Sequence, residues 1–198
     1  MEHLEIITPI ITAVITAITT LLAVWYRNYL LRKEKDKKCT IIDALNKDKE
    51  LLENLEEIRV GNSADRLTIF QFHNGGDFYT GKSMQKLSLT YETADKGIQR
   101  IMPNRQNIPV SACNSSLKPL LENWNTKYFD VEKDFPESLC KLYQLDAGNK
   151  STYQWALFDL DGRAIGIFTL DYVKRRKNLT EEQLEKLKLN IVKIPGYL

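Results

Sequence analysis

The segment Ser151–Tyr172, which reads STYQWALFDLDGRAIGIFTLDY, carries the clearest structural signal of this 198-residue chain. Two apolar runs, Ser151–Phe158 and Ala164–Tyr172, lie on either side of an Asp-Gly pair. Asp-Gly between two such runs favours a tight turn in which the glycine has positive φ. The segment therefore predicts a β-hairpin with Gly162 in its turn.

The chain before and after this hairpin alternates between short strands and short helices. Arg66–Phe72 is apolar on both faces, as a central strand is, and Lys86–Glu92 alternates cleanly. The HNGG sequence at 73–76 between them predicts a turn. Further predicted elements are a strand at 108–112, helices at 116–124 and 136–145, and a last helix opened by a capping box at Thr180–Gln183. Together these elements predict an α+β domain, with an antiparallel sheet flanked by helices.

Two parts of this pattern resemble a known family. Residues 151–187 resemble the end of a GAF domain, which closes with a strand, a D-G turn, a second strand and a helix. Residues 64–76, ADRLTIFQFHNGG, are similar to the first strand of a GAF domain. The resemblance covers about residues 40–195. It implies a GAF/PAS-like sheet and a ligand pocket between the sheet and its covering helices.

The N-terminal segment 6–26, IITPIITAVITAITTLLAVWY, contains no charged residue. At 1.5 Å per residue it forms about 30 Å of helix, enough to cross a bilayer. Trp25, Tyr26 and Arg27 suit the membrane interface. Six Lys or Arg residues lie between 27 and 38 and none precedes the segment. The positive-inside rule then predicts a single-pass inner-membrane protein whose following domain faces the cytoplasm.

These predictions divide the chain into an N-terminal tail (1–5), a transmembrane helix (6–26), a charged helical connector (27–60) and a GAF-like domain (61–198). Threonines recur every four residues in the span, including Thr12 and Thr16, as in close helix pairs. Apolar residues of the connector form a stripe that Asp48 interrupts. The stripe consists of Ile41, Leu45, Leu52 and Leu55. These features predict a homodimer. The alternatives are threonines bonded to their own helix and a connector packed on its own domain.

Six residues on or beside the predicted sheet are candidates for binding a small-molecule ligand or a protein partner. They are Phe72, His73, Asn74, Tyr91, Tyr153 and Trp155. Aromatic side chains commonly line ligand pockets, although ordinary core packing is the favoured explanation for them. The sequence identifies no cofactor. With one histidine in the domain, a His-based metal site has too few ligands, and no paired acid and base indicates an enzyme.

Charge and cysteine content limit the remaining possibilities. The formal net charge of +2 gives no basic field for nucleic acid. Cys39, Cys113 and Cys140 are odd in number and widely spaced. They predict free thiols in a reducing compartment, and not a disulfide framework.

Two functions follow from these predictions. The first is a membrane-anchored, GAF-like sensory or regulatory module that is not an enzyme. The second rests on the layout, which resembles the holin of T-even phages: a span ending in VWYR (24–27), a charged connector, a small α/β domain and a terminal helix. That resemblance implies a lysis protein with a periplasmic domain held by a disulfide. The acidic N-terminus and a last helix without cysteine depart from it.

Overall fold

A computed structural model of the chain describes residues 16–29 and 41–198. The chain divides into two compact units, Met1–Leu45 and Asn46–Leu198. Residues 16–29 are helical (α1), and every side chain in this stretch is exposed. Within the two described ranges, no helix combines the length and the apolar character needed to cross a membrane. The predicted span 6–26 begins outside the described residues.

The second unit contains a six-stranded, fully antiparallel sheet flanked by helices, which confirms the predicted α+β class. Its strands are β1 (Arg66–Asp77), β2 (Ser83–Ala94), β3 (Ile108–Pro109), β4 (Asn125–Tyr128), β5 (Ser151–Phe158) and β6 (Ala164–Tyr172). They are ordered β3-β2-β1-β6-β5-β4 across the sheet. The hairpin β5–β6 has the predicted bounds, and Gly162 has φ of +75° as predicted.

Five helices accompany α1 in the described ranges. They are α2 (Ile41–Gly61), α3 (Asn114–Asn123), α4 (Val131–Asp134), α5 (Leu139–Asp146) and α6 (Glu181–Ile191). Thr180 accepts a hydrogen bond from the Gln183 backbone N–H, and the Gln183 side chain accepts one from the Thr180 N–H. This confirms the capping box, which satisfies two otherwise unpaired donors at the start of α6.

The side chains of the central strands alternate between two different environments. On one face, apolar side chains of β1, β5 and β6 pack against α2 and α6. This core includes Leu51, Leu55, Leu67, Tyr153, Trp155, Phe168, Leu170, Leu187 and Ile191. On the other face, a second cluster contains Leu87, Ile108, Leu117, Leu120, Ala156 and Ile167. The second face carries a small cavity.

The predicted turn at 73–76 is wrong, because these residues belong to β1 and the hairpin turns at 78–82 instead. Gly75 leaves room for the Lys86 side chain, which a Cβ at that position would strike. Gly76 has φ of +100° within an irregular stretch of the β1–β2 pairing. Here the glycines mark a bulge and a close approach, which glycine permits as readily as it permits a turn.

In the connector helix α2, only part of the predicted self-association stripe is exposed. Leu55 is fully buried in the domain's own core, whereas Ile41 and Leu45 are exposed and Leu52 is 38% exposed. Leu55 is therefore unavailable to a second copy of the chain. Asp48 accepts a hydrogen bond of 2.7 Å from the Tyr91 hydroxyl, which ties it to the domain.

Candidate functional site

A small cavity lies on the face of the sheet opposite α2 and α6, beneath α3 and α5. Its volume of about 50 Å³ is about a third of an engineered cavity of ~150 Å³ that binds benzene. The sheet residues that line it are Thr68, Phe70, Leu87, Ile108, Gln154, Ile167, Thr169 and Asp171. The space holds a few water-sized groups.

The sheet below the cavity is arranged in rows, because β1, β6 and β5 pair in register. One row is Arg66, Asp171 and Thr152; the next is Thr68, Thr169 and Gln154; the third is Phe70, Ile167 and Ala156. Neighbours within a row have Cβ atoms about 5 Å apart. Along the strands, this face changes from charged to neutral polar to apolar.

The charged row is buried and internally paired. Asp171 accepts a hydrogen bond of 2.6 Å from the Thr152 hydroxyl, and its Oδ2 lies 3.5 Å from Arg66 Nε. The Arg66 guanidinium also donates to the Ala147 and Gln99 carbonyls and to Asn149 Oδ1. Burial raises the pKa of the Asp171 carboxyl above its ordinary value despite the neighbouring guanidinium. Of this row, Asp171 lines the cavity.

The neutral row presents hydrogen-bonding capacity that the protein leaves unused. The hydroxyls of Thr68 and Thr169 lie 2.7 Å apart and share one hydrogen bond. Gln154 is only 6% exposed, yet its side-chain amide has no hydrogen-bond partner in the part of the chain that the structure describes. Its polar atoms are not among the fully enclosed, unpaired atoms of the described residues, so water can reach the amide, and Gln154 lines the cavity. Most buried polar groups in folded proteins are paired, so this one calls for an explanation.

Among the described residues that line the cavity, the one cation is Arg105, which is 4% exposed. Its guanidinium lies 4.3 Å from the centroid of the Tyr143 ring. It donates to Asp146 Oδ2 at 2.6 Å and to the Tyr143 carbonyl at 3.2 Å. Arg105 is therefore neutralised by the C-terminal end of α5 and packs its loop against that helix.

A disulfide joins Cys113 to Cys140, which corrects the prediction of free thiols at these two positions. Cys113 ends the 3₁₀ turn before α3, and Cys140 lies in α5 and lines the cavity. The two cysteines are 27 positions apart without any recognisable motif, so spacing alone did not indicate the bond. Cys39 lies outside the described residues.

None of the six predicted ligand-binding residues is among those that line the cavity. Tyr153 and Trp155 are buried on the opposite face, in the core with α2 and α6. Tyr91 packs against that same core, where burial and then Asp48 raise its pKa to about 12. Their role in binding stays a prediction.

The other three predicted residues lie near the far end of β1. Phe72 packs on the cavity side of the sheet, beside the cluster around Ile167. His73 Nε2 lies 2.8 Å from Ser88 Oγ. Asn74 Oδ1 accepts bonds from the Gly76 N–H and the Ser83 hydroxyl, so it stabilises the irregular strand locally.

The other predicted positions fall in the N-terminal unit. Trp25, Tyr26 and Arg27 are exposed in α1, and Trp25 stacks on Tyr29 with ring centroids 5.9 Å apart. The Thr20 hydroxyl donates to the Thr16 carbonyl, as the alternative reading of the threonines expects. Thr12 lies outside the described residues. Across residues 16–29 and 41–198, no cluster of three or more His, Cys, Asp or Glu residues is arranged to hold a metal ion.

The fold is that of a GAF domain. A far-red cyanobacteriochrome photoreceptor superposes with a TM-score of 0.62 at 11% identity, over 87% of this chain and 94% of that one. The PixJ GAF domain of Thermosynechococcus elongatus gives 0.60 at 11% identity, over 78% and 86%. The phycocyanobilin-bound GAF domain of a cyanobacterial phytochrome gives 0.58 at 16% identity, over 86% and 89%. No family model and no curated protein sequence matches the chain.

Proposed function

We propose that this protein is a membrane-anchored, GAF-like sensory module that binds a small molecule in the cavity beneath α3 and α5. The observation that carries the proposal is the buried, unpaired amide of Gln154, a residue that lines that cavity. A buried polar group without a partner destabilises a fold, so such a group is retained where it has a use. The GAF-like fold, which a phycocyanobilin-bound domain shares, supports a ligand-binding role.

A bilin, which the phytochrome neighbour holds, does not fit this cavity. A tetrapyrrole is several times larger than benzene, and the cavity is smaller than benzene needs. Its acidic side chains need free cations, but Arg66 and Arg105 are engaged by Asp171 and Asp146. The ligand of this protein is therefore a much smaller molecule.

The membrane anchor and the homodimer are proposals that rest mainly on the sequence. The uncharged segment 6–26 and the interfacial residues Trp25, Tyr26 and Arg27 support an anchor in a lipid bilayer. The side chains of Ile41 and Leu45 are 79% and 60% exposed, which leaves an apolar surface available to a second copy.

A thermal-shift screen of the full chain in detergent micelles tests the ligand-binding proposal. A compound that binds the cavity raises the melting temperature, because binding to the folded state alone adds to its stability. Ala147→Leu places a larger side chain at the cavity wall and is expected to abolish the shift. Ala112→Leu makes the same change at a half-buried alanine that does not line the cavity, and is expected to preserve it. A screen in which no compound is sensitive to Ala147→Leu overturns the proposal.

The Cys113–Cys140 bond favours a second candidate, a holin-like lysis protein with its domain outside the cytoplasm. Disulfides persist in oxidising compartments and are rare in the cytosol. The basic residues after the span favour the opposite orientation. Reporters fused after Leu198 separate the two: fluorescent-protein signal supports the cytoplasmic sensory module, and alkaline phosphatase activity supports the holin-like alternative.

A further inference from the structure

We propose that the cavity recognises a small, neutral molecule with a carboxamide-type edge, meaning a hydrogen-bond donor and an acceptor side by side. This inference rests on the proposed function, because it names the chemical class of ligand for the same cavity. It is carried by the row Thr68, Thr169 and Gln154 and by the absence, among residues 16–29 and 41–198, of an available charge beside that row.

The Gln154 side chain supplies one complementary edge. A primary amide offers a carbonyl acceptor and an N–H₂ donor in one plane, and a second amide pairs with both at once. No residue in the ranges 16–29 and 41–198 uses either group of this side chain. A ligand that pairs with both groups gains two hydrogen bonds in a largely buried site.

The adjacent threonines add a second contact. Thr169 is the direct cross-strand neighbour of both Thr68 and Gln154. Two hydroxyls that share one hydrogen bond leave one O–H donor without a partner, together with acceptor lone pairs. A ligand bound to Gln154 therefore lies within reach of a hydroxyl group on the next strand.

The charged groups around the cavity already have partners within the protein, and this disfavours an ionic ligand. Arg66 and Arg105 are held by carboxylates and backbone carbonyls, and the Arg66 Nε that lacks a partner is fully enclosed. A carboxylate ligand would lose its hydration without gaining a cation. A cationic ligand would find the carboxylate that lines the cavity, Asp171, already beside Arg66 and bonded to Thr152.

The size of the cavity and its apolar wall further limit the ligand. The cavity of about 50 Å³ suits a ligand of only a few non-hydrogen atoms. Beyond the polar row, Phe70 and Ile167 form the sheet side of the wall and Leu117 lies on the cover. A short apolar substituent on the amide packs against these residues.

A methyl NMR titration of the full chain in micelles tests this class with two planar probes of equal size, acetamide and acetate. Acetamide is expected to shift the methyl resonances of Ile108, Leu117 and Ile167 saturably, with at least tenfold higher affinity than acetate. Gln154→Met keeps the side-chain length but removes the amide, and is expected to weaken acetamide binding about tenfold. Gln85→Met makes the same exchange at an exposed glutamine and is expected to have no effect.

Thr169→Val is a second variant, expected to weaken acetamide binding several-fold while keeping side-chain shape. The Leu187 and Ile191 methyls, on the opposite face, report whether each variant is folded. Equal binding of acetamide and acetate, or unchanged binding in both folded variants, overturns the ligand class and leaves the proposed function standing. The proposed function itself fails only if no compound of any class binds this cavity.

Discussion

Cys113 and Cys140 are joined by a disulfide, with their Cα atoms 5.3 Å apart. The bond ties the turn before α3 to α5. Helices α3 and α5 are the two that cover the cavity. Both sulfurs lie in the cluster with Leu117, on the cavity side of the sheet. The cover is therefore held in place by a covalent link as well as by packing.

Reduction of this disulfide is expected to lower the free energy of unfolding. Closing a loop of this length lowers the entropy of the unfolded chain, which stabilises the folded state by about 3.6 kcal/mol. Denaturant unfolding of the full chain with and without reductant measures the difference. The Cys113→Ser/Cys140→Ser double variant is expected to be less stable than the oxidised protein and insensitive to reductant. A wild-type protein with the same midpoint in both conditions contradicts the expectation.

Gly162→Ala is expected to lower the free energy of unfolding by about 1–2 kcal/mol, because a Cβ is strained in the left-handed region. Gly162 has φ of +75° and its surroundings leave room for the methyl group, so only the backbone opposes it. Gly61→Ala is the matched control, because Gly61 also has room for a Cβ but does not have positive φ. Equal effects of the two substitutions on the denaturant midpoint would mean that backbone strain plays no part.

Glu56→Gln is expected to reduce stability above about pH 5 and to have no effect in more acidic solution. The Arg59 guanidinium donates to both Glu56 carboxylate oxygens and lowers the pKa of Glu56 below its ordinary value of 4.5. A lowered pKa contributes stability that is present above the ordinary value and disappears as pH falls through the folded-state value. The effect is a few tenths of a kcal/mol, because Glu56 is half exposed and solvent screens the pair.

Unfolding curves collected at several pH values compare Glu56→Gln with Glu57→Gln. Glu57 is exposed and has no ion pair in the described part of the chain, so its substitution removes the same charge without the Arg59 contact. A difference in unfolding free energy between the two variants that does not change with pH would contradict this prediction.

Ile41→Glu combined with Leu45→Glu is expected to abolish chemical crosslinking of two chains in membranes. Ile41 and Leu45 are exposed, so they form the part of the predicted dimer surface that a second chain can still cover. Burying these apolar side chains against a partner is favourable. Leu55 is unsuitable for this test because charging a core residue unfolds the domain. Leu189→Glu, at a 69% exposed position of α6, controls for added charge. A wild-type chain that does not crosslink rules out the dimer.

Local patterns predicted much of the fold. The bounds of β5 and β6 follow from clean apolar runs on either side of Asp-Gly, and the capping box at Thr180 locates α6. The strand predicted at 108–112 shortens to Ile108–Pro109, since proline lacks the N–H that continues a ladder. The four-residue β4 was missed because it is short and mostly exposed.

The site was harder to predict, because aromatic residues on a sheet do not identify which face holds the ligand. Tyr153 and Trp155 belong to one face and Gln154, between them in sequence, belongs to the other. A signal was present: Thr152, Gln154, Thr169 and Asp171 place polar residues at alternate positions of strands that are buried on both sides. The disulfide depends on contacts between distant segments, which sequence spacing alone did not reveal.

The central claim is that the cavity beneath α3 and α5 binds a small molecule, and methyl NMR of the full chain in micelles with a fragment library tests it most directly. The account predicts that at least one fragment shifts Ile108, Leu117 and Ile167 while leaving Leu55, Leu187 and Ile191 unmoved, and that Ala147→Leu removes the shifts. Fragments that leave the cavity methyls unmoved, or that move them equally in Ala147→Leu, would contradict it.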